Sequence, residues 1–171
     1  TVTGLVAGQT LTITPSASNY SDANVGTGKS TTISYALANG SGLASNYSMA
    51  NLSTTGAITA KPLTAASTVA SKVYDGSATT GAVTLGTVTG LLTGQTLTIT
   101  PSASNYSDAN VGTGKSTTIS YSLANGSGLA SNYSMANLIS SGDITPKALA
   151  AASTVASKVY DGSATTARDL F

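Results

Sequence analysis

Two stretches carry residues in an order that could hold a phosphate. Ala23-Asn24-Val25-Gly26-Thr27-Gly28-Lys29-Ser30 fits a relaxed phosphate loop with Ala in place of the first Gly, and the same eight residues return at Ala109–Ser116. Such a loop works because a buried strand leads in and a helix leads out, whose N-terminal N–H groups and partial positive charge hold the anion. Here Thr-Thr-Ile-Ser-Tyr follows, which alternates as a strand. No apolar strand leads in, and no second carboxylate stands ready for magnesium. The reading the residues favour is a glycine turn that leads a lysine into a strand.

Calcium is the next chemistry to weigh. It needs several oxygen ligands, usually from clustered carboxylates. The acids are Asp22, Asp75, Asp108, Asp143, Asp161 and Asp169, and the nearest approach to a cluster is Asp22-Ala23-Asn24 with its copy Asp108-Ala109-Asn110. Asp as a turn-starting residue explains them better, and Val73-Tyr74-Asp75-Gly76 reads the same way. A Lys–Asn isopeptide bond could join Lys72 or Lys115 to one of the many Asn, with Asp as the only acid on hand. Asn-x-Ser sequons stand at Asn19, Asn39, Asn46, Asn51, Asn105, Asn125 and Asn132; in a chain so rich in Asn and Ser they are chiefly turn chemistry. Tyr20, Tyr35, Tyr47 and Tyr74, repeated in the second half, could stack on sugars, but they suit the large core residues of a small domain without Trp. We expect no catalytic, cofactor-binding or metal-binding residue, and no cofactor.

Composition narrows the classes further. There is no Cys, His, Glu or Trp, so zinc, haem and iron–sulfur sites of ordinary type are excluded, as are Ser/His/Asp and Cys/His catalytic sets. Without Cys, disulfides say nothing about compartment. Charged residues are 8% and the net charge is +1, with Lys29, Lys61, Lys72, Lys115, Lys147, Lys158 and Arg168 spread singly. That gives no footprint for nucleic acid or an anionic membrane surface. No apolar run approaches the roughly 18 residues of a membrane span. Hydrophobic residues at 40% with low charge argue for a folded chain rather than a disordered one.

The elements that must position these residues come in a repeat. Thr1-Val2-Thr3-Gly4 returns as Thr87-Val88-Thr89-Gly90, and residues 1–85 laid on 87–171 are identical at 70 positions with no gap. A long period of constant length marks an array of like modules. Within it the periodicity is two: Ile119, Tyr121 and Leu123 alternate with Thr118, Ser120 and Ser122, and Ile33, Tyr35 and Leu37 do likewise. Thr96–Thr100 alternates and is expected to stop at Pro101. Ala82–Leu85, Thr68–Tyr74 and Leu138–Thr145 read as further strands. Asp75-Gly76, Asn125-Gly126 and Gly112-Thr113-Gly114 read as turns. No helical stripe runs for ten residues. The pattern predicts an all-β chain of tandem immunoglobulin-like β-sandwich repeats, with a β-grasp-like repeat as the alternative.

The differences between copies gather at 53–60 and at 62 and 64, as expected of a solvent-facing junction. One complete module is therefore expected at 62–147, with 1–61 the C-terminal part of the module before it and 148–171 the start of the next. Ala167–Phe171 departs from Gly81–Leu85, either as a diverged copy or as a segment foreign to the repeat.

Taken in order, Lys72-Val73-Tyr74-Asp75-Gly76, Asn110-Val111-Gly112-Thr113-Gly114-Lys115, Asn132-Tyr133 and Ile144-Thr145-Pro146-Lys147 resemble one known unit. It is the YDG-type repeat, related to the MBG-type, of large bacterial surface proteins that include filamentous-haemagglutinin-like adhesins. Ala60, where the other copy has Pro146, departs from the pattern. The resemblance implies a stalk or fibre repeat of an adhesin exported by two-partner secretion to the Gram-negative cell surface. It implies cell adhesion and biofilm roles and no catalytic residues.

The expected function is thus reach, each module adding roughly 30–40 Å if its strands are about ten residues long. The expected partners are neighbouring repeats of the same chain. Other copies in an extracellular filament, or a glycan or host surface ligand bound by avidity, are the alternatives. Neither nucleic acid nor membrane insertion is expected, and the chain is not expected to be an enzyme.

Overall fold

The computed structural model describes residues 2–166. The described residues are all-β, with twelve strands and two short 3₁₀ turns among them, at 44–46 and 130–132. In the first copy β1 (Leu11–Ala17), β2 (Gly26–Asn39) and β3 (Leu52–Ile58) form an antiparallel sheet with β2 in the centre. The second copy repeats this as β9 (Leu97–Ala103), β10 (Gly112–Asn125) and β12 (Leu138–Thr145). The registers are the same: Leu11 faces Asn39 as Leu97 faces Asn125.

Between the two sheets lie β4 (Lys61–Ala65), β5 (Thr68–Val69), β6 (Lys72–Val73), β7 (Val83–Thr84) and β8 (Val88–Thr89), followed later by β11 (Tyr133–Met135). β6 adds to the second sheet in parallel with β12, giving the order β6-β12-β10-β9. β4 sits between β11, parallel to it, and β8, antiparallel to it. β5 and β7 pair with each other and bring Val69 and Val83 against the sheet. The core is there: Val69, Tyr106, Ile119 and Ile144 are buried together, with Val83, Ala103, Tyr121 and Leu138 packed around them. Ile119 and Tyr121 thus fall on the inner face that alternation predicts, and Thr118, Ser120 and Ser122 on the other.

The same residues in the first copy are uncovered. Tyr20 is 40% exposed where Tyr106 is 3% exposed, and Ile33 is half-buried where Ile119 is fully buried. Nothing local differs, since residues 11–35 and 97–121 have one sequence. The difference is the cover that β4–β8 lay on the second sheet.

Three local readings are corrected. β9 does not stop at Pro101 but runs through it, with Pro101 opposite Tyr121. β9 is the edge strand of its sheet, where a missing N–H costs no ladder bond if it faces outward. Gly112-Thr113-Gly114 is not a turn but the start of β10. The register slips between Gly112 and Lys115, and Gly114 takes the left-handed φ of 62° that this bulge needs and only glycine adopts without strain. Thr68–Tyr74 is two short strands, β5 and β6, because the chain crosses from one sheet to the other at Ala70-Ser71. The helix that a β-grasp fold requires does not occur among the described residues. Ala167–Phe171, read as a diverged or foreign end, lie outside them.

Candidate functional site

Each sequence-flagged lysine is tied down by an aspartate. Lys29 Nζ lies 2.6 Å from Asp22 Oδ1, and Lys115 Nζ lies 2.7 Å from Asp108 Oδ1. The same carboxylate oxygens accept the N–H of Asn24 and of Asn110, each at 2.8 Å, so Asp22 and Asp108 do start turns. The lysine side chains are almost wholly covered while the aspartates stay about half exposed. A covered ammonium without a partner is costly, so the aspartate's work here is to satisfy the lysine. The lysine hydrogen bond, followed by the backbone N–H, holds both carboxyls below their ordinary 3.8. After Ser116 the chain continues as β10 to Asn125, so the helix N-terminus that a phosphate loop depends on does not follow this Gly-Lys-Ser.

Lys72 sits in a second tie. Its Nζ donates to Asp75 Oδ1 at 2.7 Å, to Ser77 O at 3.1 Å and Oγ at 2.9 Å, and to Thr79 Oγ1 at 3.3 Å. Asp75 also accepts the Ser77 N–H at 2.9 Å, the turn its Asp-Gly pair predicts. Its carboxyl is held far below the usual carboxylate range, first by Lys72 and then by the Ser77 N–H. Lys158, Asp161 and Ser163 repeat the arrangement. The polar partners of Lys72 and Lys115 are thus Asp, Ser and Thr groups, where an isopeptide bond would need an Asn side chain alongside. Among the described residues no group of three or more His, Cys, Asp or Glu could hold a metal ion.

The tyrosines divide by position. Tyr106 and Tyr133 are buried, and Tyr133 Oη donates to Gln95 Oε1 at 2.6 Å. Tyr121 packs against the core. Tyr74 is exposed. Asn39 and Asn125 act as turn residues, each accepting at 2.7 Å the N–H of the alanine five residues on.

What sequence reasoning missed lies between the copies. β3 passes into β4 through Thr59-Ala60 alone. Beside this junction Asn132 Oδ1 accepts the Val25 N–H at 2.8 Å, and Asn132 Nδ2 donates to Asn24 Oδ1 at 2.9 Å. The second copy thus grips the Asp22–Gly26 turn of the first. The Asn-x-Ser pattern and the Asn132-Tyr133 motif single out Asn132 but not this role, because its partners are more than a hundred residues away and belong to the other copy. A cavity of about 340 Å³ opens on the first copy. Its lining joins Val2–Leu5 and Tyr47–Met49 to Leu11, Ile13 and Leu37 of β1 and β2.

No helix among the described residues is long and apolar enough to cross a membrane, a statement that does not bear on strands. No curated protein and no solved structure matches the chain. A family model described as YDG domain matches residues 59–140, which run from the junction through β4–β11 into β12, and this stretch is similar to that domain.

Proposed function

We propose that this chain is a stretch of the repeat stalk of a secreted bacterial surface adhesin, with 62–147 as one complete, immunoglobulin-like sandwich module. In this reading β5, β7 and the β11-β4-β8 sheet form the second layer over β6-β12-β10-β9. The observation that carries it is the junction. A two-residue connection and the Asn132 grip leave adjoining copies little freedom to pivot, which suits a stiff spacer rather than beads on a flexible linker. The YDG match and the 86-residue period support it. The chain's task is mechanical, with no catalysis, and its place is outside the cell on a Gram-negative surface.

Single-molecule pulling tests the mechanical part. Unfolding of one module should lengthen the tether by about 250–280 Å, from 86 residues at roughly 3.3–3.6 Å each less a folded length of roughly 30–40 Å. A smooth extension without a discrete step would refute the module. An antibody raised against the chain should decorate intact, unpermeabilised cells of the source organism; labelling only after permeabilisation would refute the location.

A further inference from the structure

We propose that the module 62–147 is built as a shear clamp. The strands by which tension enters it lie parallel to the strands by which tension leaves it, so the bonds between them break together and not one at a time. The inference rests on the stalk reading above and names the contacts that carry its load.

The path of the chain fixes where force goes in and out. Tension from the preceding copy enters through Thr59-Ala60 into β4 and passes on to β5 and β6. It leaves along β12, the last strand of the module, where Pro146-Lys147 follow. β4 runs parallel to β11, with Lys61 opposite Tyr133 and Leu63 opposite Met135. β11 leads into β12 through Ala136-Asn137. β6 runs parallel to β12, with Lys72 opposite Ile144 and Val73 opposite Thr145. Every other strand pairing among the described residues is antiparallel. Parallel pairing thus occurs where the entry side of the module meets its exit side.

Direction decides how such a pair fails. A strand pulled from its N-terminal end and a parallel partner pulled from its C-terminal end are dragged past each other along their length. The evenly spaced bonds of a parallel ladder are then stretched at once. Two strands pulled apart at one shared end open a bond at a time instead.

Side chains oppose the sliding. The Tyr74 N–H donates to Thr145 O at 2.8 Å, and the Thr145 hydroxyl donates to Lys72 O at 3.3 Å. Ile144, opposite Lys72, is 1% exposed and lies in the core with Val69. A slip of one residue would turn Ile144 to the outer face. In the middle of β4, Leu63 is buried, so drawing that strand out exposes it. β6 has only two residues, and Lys72 braces it. Its ammonium donates to Asp75, Ser77 and Thr79, which closes the chain into a loop directly after the strand.

The test is the direction of pull. The chain has no Cys, so paired cysteines define where the handles attach. Thr59→Cys/Lys147→Cys loads the module from entry to exit, in shear. Tyr74→Cys/Lys147→Cys loads the adjoining C-terminal ends of β6 and β12 and peels them apart. Val73→Cys/Lys147→Cys repeats the peeling direction from the neighbouring residue. All four positions are exposed, so the variants should melt as the parent does. They share one folding free energy, and forced unfolding is governed by the barrier on the path pulled. In optical-tweezers pulling of the full chain at one loading rate, the shear pair should break at a several-fold higher force than either peeling pair. Equal forces in the two directions, or a lower force in shear, overturn the proposal. Discrete steps of equal force overturn it while leaving the stalk module intact. Smooth extension in both directions refutes the module as well, so the two failures are distinguishable.

Discussion

Ile33 and Ile119 are the same residue in the same strand of the same 25-residue sequence, and they should respond differently to the same substitution. Ile→Ala removes three carbons. At Ile119, fully buried, the transfer loss at about 0.8 kcal/mol per methylene is about 2.4 kcal/mol. A closed site that collapses only in part adds a cavity cost of about 1 kcal/mol. Ile119→Ala should therefore destabilise the second copy by about 3–4 kcal/mol. At half-buried Ile33 only about half of the transfer loss applies, and water enters the space, so Ile33→Ala should cost about 1 kcal/mol. Urea unfolding followed by tyrosine fluorescence, under conditions where the chain is monomeric, reads both variants against the parent. Equal costs would refute the reasoning, because cover by β4–β8 would then not be what buries this face. A larger cost at Ile33 would refute it more strongly.

Hydrogen exchange gives an internal control. Peptides from 11–35 and 97–121 are identical, so one mass spectrum reports both, and it should split into a fast and a slow isotope envelope; a single envelope would mean equal protection. Gly142 is buried, and an added Cβ there meets the Tyr106 hydroxyl. Gly142→Ala should lower the melting temperature by several degrees, and Tyr106→Phe should restore part of the loss, as a double-mutant melt would read. Stability should be level from neutral pH down to the ordinary carboxylate value of 3.8 and fall below it. Asp22, Asp75 and Asp108 are depressed when folded, so their stabilisation is present above the unfolded pKa and lost as pH drops through the folded one. Melting at stepped pH checks this, and a rise in stability on acidification would contradict it.

Much of the molecule was legible in the residues. Alternation at Ile119, Tyr121 and Leu123 determined strand and facing together, because a period of two admits no helix. The gapless repeat determined that both copies share registers, since one sequence makes one hairpin. Asp75 and Asp108 determined their turns, because an Asx side chain readily accepts the N–H two residues on. Pro101 and Gly112-Thr113-Gly114 were misread for one reason. Both act by their place in a sheet, an edge and a bulge, and position relative to a neighbouring strand is not written in the local residues.

Tertiary structure alone decided which copies of these residues become core. Tyr20 and Tyr106, or Val155 and Val69, have the same neighbours in sequence and opposite exposure. Burial is a property of what lies across from a side chain, and the covering strands come from a stretch distant in the chain. The Asn132 grip on Asn24 and Val25 is of the same kind. Its chemistry is that of any Asn side chain, and only the stacking of one copy on the next brings donor and acceptor within 3 Å.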